Sequence, residues 1–564
     1  MNKNVIVFFY LFLQVIFASN ITAQVSQIFV AFYNGPLDSV DVARDIIVDN
    51  AGNIYVAGYS GGLLTGTDYA IVKYNSSGNQ IWVRRYSGPA PLALSLDEAF
   101  AIALDNSGNL YVTGFSTGLF TGSDYATIKF DSSGNQIWVA RYNGPANSED
   151  RAYAIDIDNS NNVIVTGSSR SGIFGNDDYL TIKYDSIGSI IWVIRDDLGF
   201  VDRPYAIGID NSNNVVITGS RKLGILGTED CATVKYNSMG VQQWASIYDG
   251  TGNEDIAYAL GITSNNDPVI TGSTRNTSSQ GSEDYVTVRY NSSNGNQQWV
   301  RTYNGTGNNE DRAYAIDIDN SDNVVVTGFT RTLPSNTDDY GTVKYDQNGN
   351  QQWDRTYNGT GNGEDRAYAI DIDGSSNVYV TGSSTGSGTN SDYATVKYNP
   401  GGSQQWAVRY DTAGGEDRAY AIDLDNSNNV YVTGSGTRIL YSDYATIKYS
   451  QESSLVIKPI SSLIPEEFKL SQNYPNPFNP ITKIRFDLPQ SVFLSGAKNL
   501  ILLKIYDILG REVVTLINEV LKPGSYEVEW DGKDLKNQTL TSGIYFYKLQ
   551  ANGFSDTKKM ILLK

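Results

Sequence analysis

Between residues 24 and 451, short runs of Val, Ile, Thr and Tyr alternate with polar clusters of Asn, Asp, Ser and Gly. Residues 152–192 hold one full unit of this pattern, AYAIDIDNSNNVIVTGSSRSGIFGNDDYLTIKYDSIGSIIW. Four strand signals follow one another in each unit: YAIDID-like, NVIVTG-like, DYxTIKY-like and QQWVRTYN-like. β-Branched and aromatic residues dominate them, and no helical period competes. Asp158-Asn-Ser-Asn-Asn162 separates a first strand from a second, and Asp131-Ser-Ser-Gly-Asn135 a third from a fourth. Both are hairpin turn chemistry. Second strands such as 163–165 are apolar at successive positions, which predicts burial on both faces. Seven Trp residues, Trp82, Trp138, Trp192, Trp244, Trp299, Trp353 and Trp406, recur at spacings of 52–56 residues. Four antiparallel strands repeated at that period predict the radially stacked blades of a β-propeller.

The ends of the repeat region fix the blade count. A DYxTxK-like motif begins eight times, at Asp68, Asp124, Asp178, Asp230, Asp284, Asp339, Asp392 and Asp443, whereas the fourth-strand Trp occurs seven times. The missing fourth strand lies at the other end. Gln27-Ile-Phe-Val-Ala-Phe-Tyr-Asn-Gly35 aligns with Gln136-Ile-Trp-Val-Ala-Arg-Tyr-Asn-Gly144, with Phe29 in the Trp position. Eight blades are expected, the N-terminal strand completing the last one and removing an open sheet edge. Seven blades with a separate remnant is the alternative. Units such as Ala101-Ile-Ala-Leu-Asp-Asn-Ser-Gly-Asn-Leu-Tyr-Val-Thr-Gly114 resemble the bacterial SBBP-type β-propeller repeat. The resemblance spans about 24–451 and implies seven blades, from which the strand count departs.

Two further segments concern destination. Residues 1–23, MNKNVIVFFYLFLQVIFASNITA, carry Lys3, an apolar run and a short polar stretch. That is the pattern of a secretory signal peptide, with cleavage expected after Ala23; a retained anchor is the alternative. After a Ser- and Pro-containing linker at 452–465, strand-like runs at 481–487, 500–508, 512–517, 525–530, 543–550 and 557–563 predict an Ig-like β-sandwich over 466–564. Asn473-Tyr-Pro-Asn-Pro-Phe-Asn-Pro480, Ile505-Tyr-Asp-Ile-Leu-Gly-Arg511, Gly543-Ile-Tyr-Phe-Tyr-Lys548 and Lys558-Lys-Met-Ile-Leu-Leu-Lys564 closely resemble the type A sorting domain of the type IX secretion system. The resemblance implies recognition by an outer-membrane translocon and removal by a sortase-like protease. The expected location is secreted or on the outer cell surface, by way of the periplasm.

Composition narrows the chemistry. There is no His, which removes the usual general base, a His-containing triad and most zinc sites. A single Cys rules out an intrachain disulfide. The net charge of −19 is concentrated in 24–451, which has 27 basic and 49 acidic residues, against 13 and 11 in 466–564. Such an acidic body repels phosphate backbones, so nucleic acid is not an expected partner.

The candidate residues follow from recurrence and from its exceptions. The Asp that opens each third strand is expected to accept loop N–H groups, and the Tyr after it to pack between blades. The third-strand cations Lys73, Lys129, Lys183, Lys235, Arg289, Lys344, Lys397 and Lys448 are expected to pair with a neighbouring blade. Glu-Asp-Arg precedes several first strands. If those strands are innermost, Asp150, Arg151, Asp311, Arg312, Asp365, Arg366, Asp417 and Arg418 ring one mouth of the channel as possible binding residues, or else form self-neutralising pairs on a solvated rim. The turn holding Asp156 and Asp158 partly matches the alternating oxygen donors of calcium loops, without a distal Glu; ordinary Asx hairpin chemistry also explains it. Calcium is therefore the one cofactor considered. The second-to-third-strand loops, 61–67, 168–177, 221–229, 274–283 and 331–338, vary most and share a face with fourth-to-first connectors such as 89–97, making that face a candidate binding surface. Cys231 stands where other repeats have Tyr and reads as core filler. No unique acidic pair or nucleophile stands out. The reading is a non-catalytic binding or scaffold protein with an extracellular polymer or protein ligand. A carboxylate-based glycan hydrolase or lyase and a structural surface-layer component are the alternatives.

Overall fold

The computed structural model describes residues 25–563 except 63–64, 91–94, 172–175, 225–226, 251–252, 276–281, 334–335, 413–414, 439–440, 452–457, 462–463, 491–499, 534–539 and 552–553. The signal-peptide segment 1–23 lies outside the described residues. All regular elements described are strands. They form ten four-stranded antiparallel sheets, eight in the repeat region and two beyond it.

Seven blades are consecutive strands: 41–86, 97–142, 150–196, 201–248, 255–303, 312–357 and 365–410. The eighth combines Arg418–Leu424, Val430–Thr437 and Ser442–Gln451 with the N-terminal strand Val25–Tyr33. Phe29 pairs with Lys448 as Trp82 pairs with Lys73 and Trp138 with Lys129, so the expected register and the eight-blade count both hold. First strands of adjacent blades pack on one another right round the ring, including Arg418–Leu424 against Asp41–Val48, which places them innermost.

The second strands are fully buried, as at Val163, Ile164 and Val165. A blade has two apolar faces and needs a neighbour on each. The Tyr of each third strand supplies the polar part of that contact. Tyr69, Tyr125, Tyr179, Tyr285, Tyr340, Tyr393 and Tyr444 each donate their hydroxyl to a backbone carbonyl in the next blade, at 2.9–3.2 Å. The last of these, Tyr444 to Ala70, joins blade eight to blade one. Cys231 fills the eighth position, buried, with its thiol pushed well up by that burial. Fourth-strand Trp residues lie over the next blade's turn. A Cβ on Gly134, whose φ is +82°, would stand 2.8 Å from the Trp82 ring, so this turn requires glycine twice over.

Two expectations about recurrent charges are corrected. The Asp opening the third strand pairs with a fourth-strand Arg of its own blade: Asp68 with Arg85 (2.9 Å), Asp124 with Arg141 (2.8 Å), Asp178 with Arg195 (3.1 Å) and Asp392 with Arg409 (2.7 Å). Loop N–H groups go instead to the Asp that opens the first strand. Third-strand cations pair within their own blade, as Lys183 with Asp158 (2.7 Å), Lys235 with Asp210 (2.8 Å) and Lys344 with Asp319 (2.8 Å). What they give the neighbouring blade is a hydrogen bond to a turn carbonyl, as from Lys183 to Ser238 at 3.2 Å. A short first-to-second turn brings its Asp back over the third strand of the same sheet, and a residue pattern does not reveal that proximity.

The C-terminal sandwich sets Lys458–Ser461, Gly524–Trp530, Thr482–Leu488 and Lys469–Leu470 in one sheet. Glu512–Val520, Leu500–Tyr506, Gly543–Ala551 and Phe554–Leu562 form the other. Ile484, Phe486, Val528 and Trp530 of the first meet Ile501, Leu503, Tyr547 and Met560 of the second in one core. All six expected strands are present. The segment read as a linker is corrected in part, because Lys458–Ser461 pairs with Gly524–Trp530. Deleting residues 25–33 removes the outer strand of blade eight, and calorimetry of the truncated chain should show melting at least about 5 °C lower.

Candidate functional site

The first strands carry a repeated distortion. In every blade the pairing of first and second strands slips by one residue at the same place, as between Ala152 and Ala154. Its cause lies in the second strand. A Cβ on Gly167 would stand 1.9 Å from the Arg151 carbonyl oxygen, so glycine there lets the first strand press in and bulge. The bulged residue is Arg44, Phe100, Tyr153, Tyr205, Tyr258, Tyr314, Tyr368 or Tyr420. Each is half-buried on the innermost strand.

These eight side chains form a collar. Ring centroids run 5.8 Å from Phe100 to Tyr153, 6.5 Å to Tyr205, 5.6 Å to Tyr258, 5.6 Å to Tyr314, 5.9 Å to Tyr368 and 5.8 Å to Tyr420. The Arg44 guanidinium sits 5.1 Å from the Tyr420 centroid, a cation–π contact. Burial raises the hydroxyls of Tyr205, Tyr258 and Tyr314 above the ordinary phenol range, so they stay neutral donors. Sequence reasoning missed the collar, although its signal was present: an aromatic follows Ala or Pro in seven first strands.

The residues expected at the channel mouth divide by type. Asp150, Asp311, Asp365 and Asp417 are corrected: all are essentially fully buried and staple loops. Asp311 accepts N–H groups from Gly305 (2.8 Å) and Arg331 (2.9 Å), and Asp417 from Thr412 (2.7 Å) and Thr437 (2.7 Å). Burial raises their carboxyls above the usual range. The Arg members stay at least partly exposed and paired. Arg151 reaches Glu149 at 3.7 Å, Arg312 reaches Glu283, Arg366 reaches Asp338 at 2.6 Å, and Arg418 reaches Glu416 at 3.1 Å. The rim is thus built from neutralised pairs.

A set of carboxylates ties the first strands together. Asp45 accepts the N–H of Ile102 (2.9 Å), Asp156 that of Ile209 (3.0 Å) and Asp423 that of Val48 (2.6 Å), each in the next blade. Asp317 and Asp371 take Ile372 and Leu424 in the same way. Burial raises Asp45, Asp156, Asp317 and Asp423 to about 6. Burial, with Asp317 and Asp423 beside it, raises Asp371 to about 8. Asp156, a calcium candidate by sequence, therefore serves as an inter-blade acceptor. Asp158, the other, accepts from Ser160 N, Asn162 N and Asn162 Nδ2 at 2.8–2.9 Å and pairs with Lys183. Against the cost of burial, those partners hold its carboxyl below the usual range. Both carboxylates are engaged by protein partners.

The variable loops are described only in part, because 63–64, 172–175, 225–226, 276–281 and 334–335 lie outside the described residues. Where both are described, loop and connector do share a face: Thr67 bridges Leu96.

Residues 472–563 match the family described as the secretion system C-terminal sorting domain, and residues 28–65 match the beta-propeller repeat family, SBBP. The chain thus carries an SBBP β-propeller repeat and a type IX sorting domain. An uncharacterized WD repeat-containing protein of Acanthamoeba polyphaga mimivirus is 24% identical over 204 residues, covering 28% of this chain and 14% of that relative. Among solved structures, a quinohemoprotein alcohol dehydrogenase from Comamonas testosteroni is similar with a TM-score of 0.46 and 10% identity, over 80% of this chain and 79% of that one. PorZ, a surface component of the type IX secretion system of Porphyromonas gingivalis, is similar with a TM-score of 0.32 and 11% identity, over 93% and 81%.

The sorting tail sends this SBBP propeller through type IX secretion to the cell surface or extracellular space, which requires the tail to engage that machinery. Its entry motif is structural within the sorting domain: Phe478 is buried 5.5 Å from Trp530 and exchanges backbone hydrogen bonds with Ile561 and Leu563 (3.0 and 2.9 Å).

The raised carboxyls set the pH response of the SBBP ring. Folded Asp45, Asp156, Asp317, Asp371 and Asp423 hold protons that the unfolded chain releases above about pH 4, so stability falls as pH rises through 6 toward 8. The melting temperature should be higher near pH 5 than near pH 8, and Asp371→Asn should flatten the difference.

Proposed function

We propose that the propeller is a non-catalytic binding protein that holds a neutral glycan chain at the aromatic collar. The observation that carries this reading is the ring of seven aromatic side chains at one level of the innermost strands, neighbouring centroids 5.6–6.5 Å apart. Aromatic faces stack on the apolar faces of sugar rings, and neutral phenol hydroxyls satisfy sugar oxygens at the edges. The rim argues for a neutral ligand. Its Arg residues are already paired, and the chain's net charge of −19 disfavours polyanions, nucleic acid included. The sorting domain then serves for delivery, with a sortase-like protease removing it and the propeller remaining as the working part.

One observation favours a second reading, carboxylate-based glycan cleavage. Asp371 keeps its proton to about pH 8 beside Asp317 and Asp423 on the inner strands, as a general acid would. Both Asp371 and its neighbours, however, are held by backbone N–H groups between blades, which is a structural use of the same atoms.

A panel of neutral polysaccharides, read for retention and for new reducing ends, separates the two. The mature chain should retain at least one polymer and release no product, and the double variant Tyr314→Ala/Tyr368→Ala should bind at least about tenfold more weakly. Product release lost in Asp371→Asn would instead establish the hydrolase. In the native cell, a chain lacking 466–564 should accumulate in the periplasm, as followed by fractionation; normal export would refute the delivery role.

A further inference from the structure

The eight blades are nearly superimposable in chemistry, so a polar group satisfied in most of them and orphaned in two, Asp202 of blade four and Asp255 of blade five, has a local cause in each. The Asp that opens each first strand is such a group. Its Oδ2 takes loop N–H groups, and its Oδ1 is satisfied from the second strand or the connector. Asp97 Oδ1 accepts from Thr117 N (3.1 Å), Asp150 Oδ1 from the Ser169 hydroxyl, Asp311 Oδ1 from the Thr330 hydroxyl (2.6 Å), and Asp417 Oδ1 from the Thr412 hydroxyl (2.6 Å). In blade four the equivalent is Asp202. Its Oδ2 accepts from Leu198 N (2.7 Å) and Gly199 N (2.9 Å). Its Oδ1 is buried with no hydrogen-bond partner, on a side chain with 0% exposure.

The cause is one replacement. The second-strand residue facing this Asp is Ser169 in blade three and Ser384 in blade seven, but Arg221 in blade four, and Arg221 is directed to Asp230 at 3.5 Å. The hydroxyl donor has gone. A third carboxylate has arrived at the same place. The residue after the fourth strand is Asn143, Asn304 or Asn358 in blades two, five and six and Asp197, Asp249 or Asp411 in blades three, four and seven; Asp197, which leads from blade three into blade four, is exposed. Oxygens of Asp178, Asp197 and Asp202 lie within 4.8 Å of one another.

We propose that Asp178, Asp197 and Asp202 bind a divalent cation, Ca2+, between blades three and four, with Asp202 Oδ1 as a buried ligand. Only oxygen donors converge, which selects a hard cation over zinc or copper. Two oxygens on opposite sides of a Ca2+ bound at about 2.4 Å are about 4.8 Å apart, so one ion spans all three groups. The charge also matches. Three carboxylates and the Arg195 guanidinium, 3.1 Å from Asp178, sum to −2. An unbonded carboxylate oxygen in a buried position is costly without a partner, and the ion supplies one. The site joins the connector 197–200 to the third strand of blade three, so it fixes a loop on the face that carries the variable loops.

The test is Ca2+ titration of the mature chain by calorimetry, with a thermal melt in Ca2+ and in EDTA. Asp197→Asn places at the exposed position the residue other blades carry, so it should fold. We expect Ca2+ to bind and raise the melting temperature of the wild type, and Asp197→Asn to bind at least about tenfold more weakly. Asp411→Asn is the control. It alters one of two other three-carboxylate clusters, Asp392, Asp411 and Asp417 (the remaining one is Asp230, Asp249 and Asp255), in which both oxygens of Asp417 are already bonded, and it should leave the titration unchanged. No Ca2+ binding by the wild type, or the same affinity in Asp197→Asn, would overturn the proposal. So would a loss confined to Asp411→Asn.

Discussion

The contact between one blade and the next is the constraint on which this propeller depends. Each sheet is apolar on both faces, so a blade without neighbours leaves two surfaces in water. Burial of those surfaces supplies most of the stabilisation, but it has no direction. The Tyr hydroxyl that crosses to a carbonyl of the next blade supplies direction. Its net contribution is only about 1 kcal/mol, yet leaving that carbonyl and hydroxyl unpaired in the interior would cost more than the bond gains. Seven such bonds and one Cys231 complete the circuit. The N-terminal strand is part of the same constraint, because without it the last blade has an open edge and Lys448 has a strand on one side only.

Stacking blades radially crowds the inner strands, and the candidate site is a consequence of that crowding. Glycine in the second strand lets the first strand bulge, and the bulged residues of neighbouring blades meet side by side. Seven of those residues are aromatic, so a packing device becomes the aromatic collar on which the proposed glycan binding rests. The carboxylates that join neighbouring inner strands show the opposite trade. They satisfy N–H groups that no neighbouring strand pairs with, and in return burial raises their carboxyls to about 6, and that of Asp371 to about 8.

Departures from the repeat carry a different kind of information. A residue that recurs eight times has a role that eight identical interfaces require. Arg221 does not recur at its position, and with Asp197 beside it a satisfied loop staple becomes three converging carboxylates. The sorting domain is distinct again: its signature residues Asn473, Phe478, Tyr547 and Met560 are buried in its own core, so the motif that identifies it is largely the motif that folds it.

The period of the Trp residues, the Asx turns and the displaced fourth strand at 27–35 determined the propeller, its eight blades and its closure, because strand pairing and hairpin chemistry are local and leave a local record. Export was equally legible, since the sorting tail is read as a sequence. The partners of the recurrent charges were not. Asp68 meets Arg85 and Lys183 meets Asp158 across strands of one sheet, and which of several nearby opposite charges a side chain reaches is set by twist and register. The mouth residues Asp150, Asp311, Asp365 and Asp417 look the same in sequence whether they face solvent or staple a loop. Tertiary structure decided that they are buried. It also assembled the collar, because Phe100 and Tyr420 are distant in the chain and come to one ring only when eight bulged strands converge on a common axis.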